Sequence, residues 1–146
     1  MSLATIWKAS LLTAGICSAS MALYHFWLPY QWDWTGKLRS APPAIAWGAP
    51  MINFCFSALL VWGAAMTILA AFRWTRQDAL TRCAVWGMGV FWILNAGYQA
   101  LVPMPLPERF RAIGWFLLGF AVLVALLHAL AIAVSWRRPT LRAGTP

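Results

Sequence analysis

Residues 110–136 read FRAIGWFLLGFAVLVALLHALAIAVSW, and from Ala112 to Trp136 they hold no Lys, Arg, Asp or Glu. A helix needs about 20 predominantly apolar residues to cross the hydrocarbon core of a bilayer. This run meets that need with turns to spare, so it is expected to be a transmembrane helix. Three more stretches have the same character: about residues 5–27, 45–72 and 82–102. The 146 residues are 62% hydrophobic and only 10% charged. Soluble domains carry about 25% charged residues, so the whole chain belongs with membrane proteins.

The expected fold is therefore all-α: a polytopic, up-down-up-down bundle of four transmembrane helices forming one domain over residues 1–146. The third helix stops at PMPLP (103–107), where three prolines in five residues end any helix. Pro29 is expected to end the first helix. Pro50 is tolerable near the first turn of the second. After Lys8 the apolar stretch continues to Tyr30, longer than the core of a cleaved leader, so residues 1–30 are expected to remain as a helix. Residues 28–44 form a Trp- and Pro-rich loop, and 73–81 and 103–109 form short turns.

The net charge of +8 comes from 11 cations against three acids. No run of five or more Lys or Arg is present, so a nucleic-acid partner is not expected. Lys8, Arg73, Arg76, Arg82, Arg137, Arg138 and Arg142 lie on one side of the four spans. Lys37, Arg39, Arg109 and Arg111 lie on the other. The richer side is cytoplasmic under the positive-inside rule, which places both termini there and the chain in the bacterial inner membrane.

Without an apolar driving force between helices in lipid, small residues and interhelical hydrogen bonds must hold them together. Ala121, Ala125, Ala129 and Ala133 form a four-spaced stripe on the last helix, and Ser10, Ala14, Ser18 and Ala22 form one on the first. These two faces are expected to pair. The 11 Trp sort by depth. Trp27, Trp32, Trp34, Trp47 and Trp115 fall at the outer interface; Trp7, Trp74, Trp86 and Trp136 fall at the inner one, as amphipathic indoles prefer. Trp62 and Trp92 are left deeper.

Ionisable groups inside a bilayer are costly and mark function by default. Asp33, Asp78 and Glu108 all lie in loops, so no carboxylate within a span is available for proton exchange or acid–base chemistry. No catalytic motif is recognised. Cys17, Cys55 and Cys83 form no C-x-x-C, so neither a disulfide framework, a metal knuckle nor paired-thiol redox chemistry is expected. Asn53 and Asn95 fall at matching depths, where an amide-to-amide hydrogen bond would join two spans. Tyr98, Gln99 and His25 share that outer level. His25, Asn53, Asn95, Tyr98 and Gln99 are accordingly a candidate pocket for a lipid or quinone, with helix gluing the plainer reading. His128, in the inner half, is expected to face the bundle as a hydrogen-bonded packing residue rather than a metal ligand, with Ser10, Thr13 or Thr67 at a matching depth. The two His differ in depth, so a haem held between them within one chain is not expected, and no metal or other cofactor is called for.

The chain resembles small four-helix membrane proteins of bacteria in which an H-x-x-L-P loop, here His25–Pro29, leads to an aromatic outer segment, and an F-W pair, here Phe91–Trp92, opens the later part of the third helix. The likeness covers most of the length and implies architecture without an activity. Tryptophan-rich sensory proteins differ in span number. Disulfide-forming quinone reductases need the paired cysteines, and cytochromes of the b561 kind need the histidines, that are missing here. The expected function is that of a non-catalytic accessory subunit, in contact with membrane lipids and with other subunits or copies of itself. The alternative is a binder or carrier of a hydrophobic small molecule.

Overall fold

The computed structural model describes residues 1–137. It contains five α-helices: α1 (Leu3–Gln31), the short α2 (Trp34–Lys37), α3 (Pro43–Ala71), α4 (Ala79–Leu101) and α5 (Arg111–Trp136). A single 3-10 turn, Glu108–Phe110, leads into α5. Among the described residues there is no strand. Leu3–Gln31, Pro43–Ala71, Ala79–Leu101 and Glu108–Trp136 are each long and apolar enough to cross a membrane. Arg138 and Arg142, which enter the charge balance, lie outside the described residues.

Local chemistry sets the boundaries. Ser2 caps α1 by accepting a hydrogen bond from the Thr5 N–H at 3.2 Å. Asp78 caps α4 in the same way, accepting from the Thr81 N–H at 2.8 Å, so this helix starts at Ala79, one turn ahead of the expected Arg82. Pro43 opens α3, where a missing N–H costs nothing. The expected stop at Pro29 is overturned: α1 runs through Pro29 to Gln31. Beyond it, Asp33 turns the chain with φ 43°, a left-handed conformation that Asp tolerates, and accepts from the Gly36 N–H at 3.1 Å to start α2. This segment folds back over the bundle end. The Trp32 ring meets Phe110 edge-on at 5.8 Å and carries the Lys37 ammonium at 5.3 Å.

In the bundle α1 packs against both α3 and α5, while α4 packs against α5 and more sparsely against α3. Two buried clusters follow the axis. One joins Trp7 and Leu11 to Ala70, Ala71, Val85, Ala131 and Val134. The other joins Ala14 and Ala22 to Leu60, Trp92, Ala121, Val124 and Ala125.

The two small-residue stripes fare differently. All of Ser10, Ala14, Ser18 and Ala22 are buried, because α1 has neighbours on two sides and can bury a wide arc. On α5 only Ala121 and Ala125 are buried; Ala129 and Ala133 are exposed. The buried set there continues instead through His128, Ala131 and Val134. A helix has 3.6 residues per turn, so a strict four-residue spacing drifts around the cylinder and leaves the contact face.

Trp7, sorted to the inner interface, and Trp92, left deeper, are both buried in the bundle. Trp7 is 1% exposed, and its Nε1–H donates to the Ala70 carbonyl at 3.1 Å. Carbonyls in the last turn of a helix lack full helical partners, which makes Ala70 available. Trp92 is as deeply buried and donates to Ser18 Oγ at 3.0 Å, tying α4 to α1 across the bundle.

Candidate functional site

Pro29 has no N–H, so inside a helix it leaves the carbonyl four residues earlier, on His25, without its usual donor. An orphaned carbonyl within an apolar span is costly. Here Asn53 of α3 answers it: its Nδ2 donates to the His25 carbonyl at 2.8 Å. That bond orients the amide, turning Oδ1 toward the His25 ring, where it lies 3.2 Å from Nδ1. With Asn53 Oδ1 fixed as the acceptor, Nδ1 must carry the proton, leaving Nε2 with the lone pair. The ring is held further by Phe56, edge-on at 4.8 Å. One α3 side chain thus grips both backbone and side chain of one α1 residue. The Ser57 hydroxyl donates to the Asn53 carbonyl at 2.6 Å, within α3.

The other members of the expected cluster go elsewhere. Gln99 Nε2 donates to Asn95 Oδ1 at 2.6 Å, one turn apart on α4. The expected bond between Asn53 and Asn95 is therefore replaced by two separate pairs, because the α3 amide is already engaged by α1. Tyr98 is 67% exposed on the outside of α4. Gln99 lines a cavity of about 480 Å³ formed with Arg111, Gly114, Trp115 and the Met104 turn.

His128 does face the bundle and is fully buried. Its partner is not Ser10, Thr13 or Thr67. Nδ1 lies 2.9 Å from the Val124 carbonyl on its own helix and donates to it. Ser10 donates to the Ile6 carbonyl and Thr67 to that of Gly63, so these hydroxyls back-bond along their own helices as well. Nε2 of His128 is buried without a hydrogen-bond partner among the described residues. Gly89 of α4 packs against this side chain: a Cβ there would lie 3.3 Å from the His128 Cβ.

Among the described residues no three of His, Cys, Asp and Glu come together as a metal-binding group. Cys17, Cys55 and Cys83 are free thiols. At the α3–α4 turn, Arg73 pairs with Asp78 at 3.6 Å. The Asp78 carboxyl is held below its ordinary range, first by the Thr81 backbone N–H and less by the Arg73 and Arg76 charges.

Sequence reasoning placed Asn53 and His25 at one level but missed why they meet. The signal was present in Pro29, four residues after His25, since a proline within a span names the carbonyl that will need a donor. Trp92 was set aside as a deep aromatic, and its bond to Ser18 had no sequence signature. No family model, curated protein or solved structure matches this chain.

Proposed function

We propose that the chain is a non-catalytic, multi-pass protein of the bacterial inner membrane, an accessory subunit packing within a larger membrane complex. The spans run up-down-up-down with both termini in the cytoplasm, in keeping with the distribution of Lys and Arg. The observation that carries this reading is the outward face of α5. Ala112, Gly119, Ala129 and Ala133 are all exposed there, interspersed with the exposed Trp115, Val122, Leu126 and Leu130, so half of the alanine stripe lies outside the chain's own bundle. A small-residue face lets the backbone of a second helix come close, which is how helices associate in lipid. The polar groups nearer the axis support it too: Trp7, Trp92, Asn53 and His25 take their partners within the bundle.

A photoreactive residue at Ala129 should cross-link a second polypeptide, or a second copy, in native membranes. Gly119→Leu should weaken that cross-link while leaving the bundle intact. Extraction as a lone monomer, with no cross-linked product in the membrane, contradicts the proposal. Reporter fusions after residue 37 and at the C-terminus test the orientation.

A second reading, a binder or carrier of a lipid or quinone at the outer level, is favoured by the cavity that Gln99 shares with Arg111 and Trp115. Native mass spectrometry of gently extracted protein should then show a retained amphiphile that is lost on Gln99→Leu. An absorbance spectrum without a Soret band dismisses a haem-binding version.

A further inference from the structure

Two cavities lie end to end between α3 and α4 and share Met66, Leu80 and Ala84. The larger, about 340 Å³, is walled by apolar side chains that include Phe56, Leu59, Trp62 and Phe91. The smaller, about 100 Å³, runs on from the shared residues to Thr81 and Arg73. They make one furrow, apolar along its length and ending at a guanidinium. Arg73 stands two residues past the end of α3, at the border of the apolar spans. Among the described residues its one ion pair, to Asp78, is made through Nη1 at 3.6 Å. That is beyond good hydrogen-bonding distance and leaves the planar fork of donors able to take a phosphate. Arg76 and Arg82 flank the same turn, so the local charge stays positive against the one carboxylate of Asp78.

Met88 of α4 seats on Gly63 of α3, and the furrow opens beside that contact. Beyond that point Gly87 faces open space, with nothing within 4 Å of where its Cβ would be. Its α3 wall is bulky, with Phe56, Leu59, Trp62 and Met66, and the small residues Cys83, Ala84 and Gly87 of α4 face that wall with no matching small-residue seam for a second helix. A single flexible chain suits such walls better than a helix does. Apolar contact alone selects nothing, since lipid tails are apolar everywhere in the bilayer. Selection has to come from the charged end, at headgroup level.

We propose that this furrow is a specific site for one anionic phospholipid of the surrounding bilayer, with an acyl chain lying between α3 and α4 from Leu80 toward Phe56 and its phosphate on Arg73. The site is independent of any partner on α5 and of the cavity at Gln99.

The test is native mass spectrometry of the purified full-length chain, with phosphatidylglycerol and phosphatidylcholine of identical acyl chains added in competition. Wild type should retain one phosphatidylglycerol with a preference of about fivefold or more, the worth of one cation near a lipid surface. In Gly87→Leu the added Cβ has no atom within 4 Å and the side chain projects into the furrow, so the fold should persist, checked by near-UV circular dichroism, while lipid retention falls. Arg73→Gln should keep retention but lose the headgroup preference. Cys83, exposed on the furrow wall, gives a second readout: alkylation by an apolar maleimide should be slowed by phosphatidylglycerol. Equal retention of the two lipids by wild type, or unchanged retention in Gly87→Leu, overturns the proposal. So does protection of Cys83 by a co-purifying polypeptide in place of lipid.

Discussion

The seam between α1 and α3 and the seam between α3 and α4 are built from the same kinds of residue, yet one is closed and the other gapes. Along the first, Gly15 lies so close to α3 that an added Cβ would meet the Ile68 side chain and the Ala64 carbonyl, the latter at 3.3 Å. Polar bonds fasten both ends: Trp7 to Ala70 near the start of α1, and Asn53 to His25 near its end. Along the second seam the amides of Asn95 and Gln99 bond each other on α4 instead of reaching across to α3. The furrow opens farther along this seam, beside Met66, Leu80 and Ala84. In lipid, where apolar surface alone does not bring helices together, a few donors and a few missing side chains decide which pairs close.

The largest effect is expected where backbones come closest. Gly15→Leu forces α1 off α3 and should cost about 2–3 kcal/mol, the upper range for overpacking, seen as a loss in unfolding free energy on titration from mild detergent into SDS. Next comes Asn53→Leu, which leaves the His25 carbonyl and ring without their partner; the same titration should show a loss of about 1–3 kcal/mol. A variant as stable as wild type would mean that the α1–α3 seam does not depend on this bond.

Ser18→Ala probes a bond that crosses the bundle from α4. It leaves the buried Trp92 indole N–H without its acceptor and should cost about 0.6–1.7 kcal/mol, with a shift in tryptophan fluorescence as the readout. The smallest effect is at the open seam. The Asp78 carboxyl is lowered by the Thr81 N–H, so its contribution to the start of α4 is present above the pKa of the unfolded chain and lost as pH falls through the lower folded value. Amide exchange of residues 79–81 should therefore speed up on acidification and lose that dependence in Asp78→Asn, with little change in global unfolding.

The four long spans were legible in the sequence because span length and apolarity are properties of single segments, whereas the short α2 fell within the expected loop of residues 28–44. The end of α4 was legible in the prolines of PMPLP, and its start was misread where Asp78 was taken for plain loop. Which faces meet was only half legible. The stripe on α1 is buried, but that on α5 drifts away at Ala129, because spacing within one helix does not say where its neighbours stand. The pairing of polar groups was the least legible, since Asn53 had two candidate partners at one depth. The choice between Asn95 and His25 was made by a carbonyl that Pro29 left without a donor.

That dependence is directly measurable in a double-mutant cycle between Pro29→Ala and Asn53→Leu. Alanine at 29 restores an N–H to the His25 carbonyl, so Asn53→Leu should cost less in that background, with a coupling of about 0.5–1.5 kcal/mol. If the two substitutions add within about 0.3–0.5 kcal/mol, the proline does not call for the asparagine, and the account of the α1–α3 seam is wrong.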